Sequence, residues 1–281
     1  MLTATTIPDC RAAVADARAG GRRIGFVPTM GALHEGHLSL VEAARAHSDY
    51  VVMSIFVNPL QFGPGEDYER YPRDLAADSS LADSRGVNLV FAPRAHEMYP
   101  AEANVTLKGG RIAGDWEGRI RPGHFDGVLT VVAKLLHIVQ PDAVVFGQKD
   151  LQQARIVESM IHDLNLPVEL ILSPTIRDPD GLALSSRNRY LSPADRERAL
   201  ALSRALRQIQ ATHARGERDV ATLERAGHAV LVASPGIKID YLAVVERDSF
   251  RRPATLGFRG AAIGAIRVGT TRLIDNVLLD G

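Results

Sequence analysis

One cysteine, Cys10, occurs in 281 residues. That excludes an intrachain disulfide and a cysteine-built zinc or iron–sulfur site. Excess charge of either sign is missing as well. Lys+Arg and Asp+Glu are both 33, for a formal net charge of zero. Nothing global then draws the chain toward nucleic acid or an anionic membrane, and no basic-aromatic surface pattern suggests RNA. The basic stretch from Arg196 to Arg225 is interleaved with Glu197, Glu217, Asp219 and Glu224 and reads as a solvated helix face. No apolar run is long enough to span a bilayer and no signal-peptide pattern opens the sequence, so the cytoplasm is the expected compartment. Cys10 lies just before an alanine-rich helical stretch and is expected to be a packing residue. No internal repeat or low-complexity tract stands out.

What is present is ordinary globular composition, 46% hydrophobic and 23% charged, in a chain long enough for two domains. Strand-like and helix-like runs alternate from Ile24 onward. Strands are expected at Ile24–Val27, Tyr50–Val57, Val87–Phe91, Ala143–Phe146 and Val168–Leu172. Helices are expected at Leu38–Ala46, Asp74–Arg85 (with Leu75 and Leu81 inward), Val128–Val139 and Leu151–Leu164. This alternation predicts an α/β fold, a Rossmann-like doubly wound parallel sheet, over residues 1–174. Ser173–Ser192 holds Pro174, Pro179 and Gly181 and reads as a connection. Beyond it, helices at Pro193–Ala214 (Ser192 as N-cap, Pro193 in the first turn) and Val220–Ala233 precede strand-like Ile237–Val245, Ala261–Val268 and Arg272–Asn276. A smaller α+β domain is therefore expected over 175–281. The stretch Gly109–Gly127, rich in glycine and charge, reads as a long irregular loop, and such loops are often functional.

The most informative segment is Pro28-Thr29-Met30-Gly31-Ala32-Leu33-His34-Glu35-Gly36-His37. It joins an apolar strand to an amphipathic helix. Such a junction turns backbone N–H groups and the positive end of a helix dipole outward, which suits a phosphate chain. His34 and His37 add proton donors or acceptors near neutral pH. An isolated HxxH pair reads first as cap or surface histidines, and its spacing is not the H-E-x-x-H of a metalloprotease. Three further groups matter. Lys149 and Asp150 follow the strand Ala143–Phe146: the lysine can neutralise phosphate, and the aspartate suits ribose hydroxyls or the first turn of a helix. Leu184-Ser185-Ser186-Arg187 lies in the connection and can fold over a triphosphate, with arginine stabilising transition-state charge. Gln61 and Gln153 can hold a small polar substrate through neutral, directional hydrogen bonds. Singly each is more often structural, and Arg121, His124 and Asp126 are expected to be solvated. The carboxyl ends of the strands should gather the histidine pair, Asn58–Gln61 and Gly147–Asp150 on one rim.

In order and placement these blocks resemble the pantoate–β-alanine ligase family. PTMGALHEGH at 28–37 resembles that family's HxGH signature, shared with class I aminoacyl-tRNA synthetases and related nucleotidyltransferases. FVNPLQFGPGEDYERYPRD at 56–74, RPGHFDGVLTVVAKLL at 121–136, VVFGQKDLQQ at 144–153 and DGLALSSRNRYLS at 180–192 resemble further family blocks. Leu151 stands where the family pattern has an aromatic, and the loop around Gly114–Ile120 departs from it. The resemblance implies a homodimeric, magnesium-dependent enzyme of pantothenate and coenzyme A biosynthesis. It would join (R)-pantoate to β-alanine through pantoyl adenylate, releasing AMP and pyrophosphate. It further implies that Met30, Gly31, Ala32, Leu33, His34, Glu35, Gly36 and His37 bind ATP. Gly147, Gln148, Lys149, Asp150, Ile176, Leu184, Ser185, Ser186 and Arg187 would complete that site. His37 would be the proton donor, with His34, Lys149 and Arg187 on the phosphates. Gln61 would contact pantoate and then β-alanine, Gln153 pantoate, and the C-terminal domain would act as a lid. The metal ligands are not implied, and neither a nucleic acid nor a membrane partner is. Two other readings remain: a nucleotidyltransferase acting on a phosphorylated substrate, which shares the HxGH logic, and a non-enzymatic nucleotide-binding module.

Overall fold

The computed structural model describes residues 1–99 and 104–280. The chain divides into two compact units: 1–147 with 153–174, and 148–152 with 175–281.

In the first unit the strands are β1 (Leu2–Ala4), β2 (Ile24–Thr29), β3 (Tyr50–Ile55), β4 (Leu89–Phe91), β5 (Ala143–Gly147) and β6 (Glu169–Ser173). They form one sheet in the order β1-β4-β3-β2-β5-β6, with every pair parallel. Parallel strands are covered on both faces, which is why these runs are continuously apolar rather than alternating. Phe26, Val52, Phe91 and Val144 belong to one core with the helices α1 (Ile7–Ala19) and α7 (His124–Val139). Val27, Val51, Met53, Val90 and Val145 belong to the other, with α2 (Glu35–His47). Cys10 is fully buried on α1 and burial pushes its thiol up to about 12, so it is an inert packing residue. Strand order reverses direction between β2 and β5, which puts the ligand-binding crevice of such a sheet at their carboxyl ends.

The remaining helices of this unit are α3 (Leu75–Ser84), three single turns, α4 (Ala95–Met98), α5 (Arg111–Gly114) and α6 (Glu117–Ile120), and most of α8 (Leu151–Asp163). The expected loop at 109–127 thus contains two helical turns and the start of α7. On α3 the inward face differs from expectation. Leu75 and Leu81 are 43% and 39% exposed, while Asp78 and Ala82 are buried. The physical reason lies in two backbone amides of the β2–α2 turn, which Asp78 accepts.

In the second unit α9 (Pro193–Ala214) and α10 (Val220–Val232) pack on an antiparallel sheet of β7 (Ile237–Glu246), β8 (Arg259–Val268) and β9 (Thr271–Asp280). Ser192 caps α9 by accepting from the Asp195 N–H, with Pro193 in the first turn. Among the described residues no helix is long and apolar enough to cross a membrane.

Candidate active site

The turn from β2 into α2 is built from two successive left-handed residues. Gly31 has φ 81° and Ala32 φ 51°. A side chain is disfavoured at the first by space as well as by φ, because a Cβ on Gly31 would lie 2.7 Å from Asp78 Oδ2. Asp78, 4% exposed, straddles the turn: its two carboxylate oxygens accept the N–H groups of Ala32 (2.9 Å) and Leu33 (2.8 Å). The Gly31 N–H goes to Thr29 Oγ1 at 3.2 Å. These three amides hold the turn together instead of facing outward, so the expectation that the junction turns its N–H groups outward fails for Gly31, Ala32 and Leu33.

His34 is the N-cap of α2 and its Nδ1 accepts the Gly36 N–H at 3.1 Å. An imidazole that accepts at Nδ1 carries its proton, when neutral, on Nε2. His34 and His37 rings stand 4.1 Å apart, centroid to centroid. Glu35 on the exposed first turn pairs with Arg85.

Beyond β3, Pro59–Gln61 is a single turn capped by Asn58. Asn58 is almost wholly buried and saturated: Nδ2 donates to Gln61 Oε1 (3.1 Å) and to the Gly127 carbonyl (3.1 Å), and Oδ1 accepts from Tyr99 Oη (2.9 Å). The Gln61 carboxamide is therefore fixed by its oxygen. Its Nε2 lies 3.0 Å from Met30 Sδ, a weak acceptor that a polar ligand can replace. Met30 and Gln61, the ends of two different strand–helix connections, thus meet. Gln153 sits half-buried on α8 in the same unit.

Behind Gln61 lies a polar cluster at the foot of α7. His124, 9% exposed, donates from Nδ1 to the Gln61 carbonyl at 2.8 Å and accepts from Arg121 at Nε2, 3.0 Å. Arg121 makes a two-pronged bond to Glu66 (2.7 and 2.6 Å) and also reaches the Gln61 carbonyl. Arg121 and His124 are therefore structural supports of the Gln61 turn rather than solvated loop residues. Burial, and secondarily the Arg121 charge, lowers the His124 pKa to about 4, against the opposing pull of the Gln61 carbonyl, Glu117 and Glu66. Burial pushes Glu66 up, but hydrogen bonding to Arg121 and its charge outweigh this and hold the carboxyl below its usual range.

A pH dependence follows. The unfolded chain protonates His124 near 6.5, while the folded protein resists until about 4. The unfolded state binds more protons in that window, so stability is complete above it and falls as pH drops from 6.5 toward 4. The expected contribution is about 3 kcal/mol. Glu66, with a lowered folded pKa, adds a loss of the same sign at lower pH. Urea unfolding across pH 7 to 4 checks this against His124→Gln, which retains a donor and an acceptor. The variant should show a shallower acid slope, and an unchanged slope would assign the acid sensitivity elsewhere.

In the second unit, Gln148–Asp150 form one tight turn, with Lys149 half-buried and Asp150 exposed. Residues 176–184 form a narrow hairpin, with the Leu184 N–H on the Ile176 carbonyl (3.0 Å) and the Asp178 N–H on the Leu182 carbonyl (2.9 Å). The hairpin delivers Ser185, whose Oγ accepts the Arg187 N–H, into the turn Ser186–Tyr190. Lys149, Leu182, Ser185, Asn188 and Asp275 line one cavity of this unit. Lys149 and Ser185, 36 residues apart in sequence, thus line the same small cavity.

Comparison with known proteins shows what the whole chain is similar to. A model of the family described as pantoate-beta-alanine ligase matches residues 2–278. The chain is 50% identical to the pantothenate synthetase of Acidobacterium capsulatum, over 99% of this chain and 97% of that one. It matches the crystal structure of pantothenate synthetase from Thermus thermophilus with a TM-score of 0.95 and 47% identity, covering 100% of both chains. It also matches the Francisella tularensis pantoate-beta-alanine ligase complexed with beta-gamma ATP and beta-alanine. There the TM-score is 0.81 at 35% identity, covering 99% of this chain and 98% of that one.

Proposed function

The chain belongs to the pantoate–β-alanine ligase family, and from that premise we propose that it condenses pantoate with β-alanine to pantothenate, using ATP through a pantoyl-adenylate intermediate. The observation that carries the reading is the meeting of Met30 and Gln61 at the carboxyl ends of β2 and β3, on the rim beside the crevice that this sheet order opens at the carboxyl ends of β2 and β5.

Two steps account for the chemistry. A pantoate carboxylate oxygen attacks the α-phosphorus of ATP and pyrophosphate departs. The β-alanine amine then attacks the acyl carbon, loses a proton and expels AMP. The first step needs charge neutralisation and alignment more than a protein nucleophile. In the first unit, Met30–His37 and Gly147 would contact ATP, with His34 offering Nε2–H and His37 acting as proton donor. In the second, Gln148, Lys149, Asp150, Ile176 and Leu184–Arg187 would do so, with Lys149 and Arg187 on the phosphates. Gln61 and Gln153 would hold pantoate without adding negative charge, and Gln61 would then receive β-alanine. Magnesium would arrive on the triphosphate, as that ion commonly does. Among the described residues no cluster of three His, Cys, Asp or Glu side chains offers a protein cage. Magnesium and a homodimer rest on the family likeness.

Product analysis with ATP, magnesium and pantoate, with and without β-alanine, tests the reading. Pantothenate, AMP and pyrophosphate are expected, the amide only when β-alanine is present. Pyrophosphate without amide would point instead to another adenylating or nucleotidyl-transferring enzyme, and ATP binding without turnover to a binding module. Gln61→Ala should mainly weaken pantoate and β-alanine handling, raising both KM values while the KM for ATP stays near its original value. Unchanged kinetics for both substrates would defeat the Gln61 assignment.

A further inference from the structure

Asn276, on β9 and 2% exposed, belongs to no part of the site as sequence reading assembled it. Yet it spends its side-chain amide on the segment that carries Lys149. Its two Nδ2 hydrogens go to the Gln148 carbonyl (2.8 Å) and the Lys149 carbonyl (3.0 Å). Its Oδ1 accepts from Gln148 Nε2 at 3.1 Å. A buried carboxamide has two donors and one acceptor oxygen to satisfy. Here all three sites close on two consecutive residues that lie more than 120 positions earlier in the chain.

The backbone of Asn276 is fixed just as firmly. Its N–H donates to Asp275 Oδ1 at 2.8 Å, and its carbonyl accepts from Arg177 Nη2 at 3.1 Å. Asp275, also buried, receives both arms of the Arg177 guanidinium, at 2.7 and 2.9 Å. Arg177 in turn donates to the Gly181 carbonyl at 3.2 Å, inside the hairpin that leads to Ser185. Asp275 and Asn276 therefore tie two separate segments to one strand: the Gln148–Lys149 turn and the 176–184 hairpin. The cavity that Lys149 and Ser185 share lies between those segments and has Asp275 in its wall.

We propose that Asn276 is a positioning residue for Lys149, holding the lysine backbone through its own carbonyl and the one before it so that its ammonium meets the ATP phosphates in register. This rests on the reading of Lys149 as a phosphate contact. Charge stabilisation falls off steeply when the charged group is misplaced, and a shift of about 1 Å can cost on the order of 10²-fold. A long flexible lysine side chain gains most from a fixed base, since it enters the site with several free torsions. The Arg177–Asp275 pair supports the same strand position from the other side.

A double-mutant cycle in adenylation rate tests this, read as pyrophosphate release from ATP and pantoate by the full-length protein. Asn276→Ala is expected to lower the rate about 10- to 100-fold, with the KM for pantoate changed less than about twofold, since Gln61 and Gln153 belong to the other unit. In a Lys149→Ala background the same substitution should cost less than about twofold, because the group it positions is gone. An equal fall in both backgrounds would mean a general structural role and overturn the inference. So would wild-type rates in Asn276→Ala. If the alanine variant does not melt cooperatively, Asn276→Ser leaves a smaller void and is carried through the same cycle with the same criteria. The unmodified protein is the control. If it makes no pyrophosphate, the functional reading fails by itself, whereas an active control with additive variants rejects Asn276 alone.

Discussion

Alanine at His37, or at Lys149, is expected to lower the rate of adenylate formation by about 10²-fold or more, with little change in thermal midpoint. The separation of rate from stability follows from how each residue is held. The N-cap of α2 is His34, whose Nδ1 takes the Gly36 N–H, and the turn before it is fixed by Asp78. Removing the His37 side chain leaves both devices in place. Lys149 is anchored through its backbone carbonyl to Asn276, so truncating its half-buried side chain removes a cation without releasing the segment. On the proposed mechanism, each variant would lose a group that faces the phosphate charge building up as pyrophosphate departs. Such groups act most strongly where the surroundings are prearranged and water is scarce. Single-turnover pyrophosphate release, read beside a thermal melt, is the measurement. Turnover within a few-fold of the unmodified protein in either variant would remove that residue from the mechanism.

The elements that sequence revealed are those in which one local pattern suffices. Continuous apolar runs marked β2, β3 and β5, and 3.6-residue spacing marked α7, because burial on two faces or on one stripe leaves its trace in the sequence. The Ser192-Pro193 start of α9 was equally legible, since a cap and its helix are neighbours in sequence. The residues that hold the site were not. Leu75 and Leu81 are expected inward on α3, yet they are exposed and Asp78 between them is buried. A carboxylate goes inside when amides elsewhere need an acceptor, here 45 and 46 residues away. Nothing in local spacing encodes that demand. His124 and Arg121 were hidden for the same reason: glycine and charge around them suggested a solvated loop, while their partners are the Gln61 carbonyl and Glu66. Asn276 is a single amide in a strand of mixed composition, and its partners lie 127 and 128 residues away. Groups expected to touch a ligand sit in short motifs at strand ends, so they are readable from the order of those motifs along the chain. Groups that position them are defined only by three-dimensional contact.

The same distinction makes Gly127 a position where one added methyl group should harm both the fold and the placement of Gln61. A Cβ there would lie 2.1 Å from the Leu60 carbonyl oxygen and 2.7 Å from the Gln61 nitrogen. Both are backbone atoms of the turn that carries Gln61, so no flexible side chain can yield. That turn cannot move freely either, because Asn58 ties Gln61 to the Gly127 carbonyl and His124 holds the Gln61 carbonyl from the same helix. Gly127→Ala must therefore separate α7 from the turn and strain both sets of hydrogen bonds. The expected loss of stability is about 3 kcal/mol, the upper end for overpacking. Displacement of Gln61 by about 1 Å should lower kcat/KM for pantoate on the order of 10²-fold. Urea denaturation and pantoate kinetics read the two effects separately. Adding Gln61→Ala to Gly127→Ala should then leave pantoate kinetics nearly unchanged from the glycine variant, since the misplaced amide has little left to lose. Full additivity in the double variant, or near-normal pantoate kinetics in Gly127→Ala alone, would show that close approach of α7 serves packing and not the placement of Gln61.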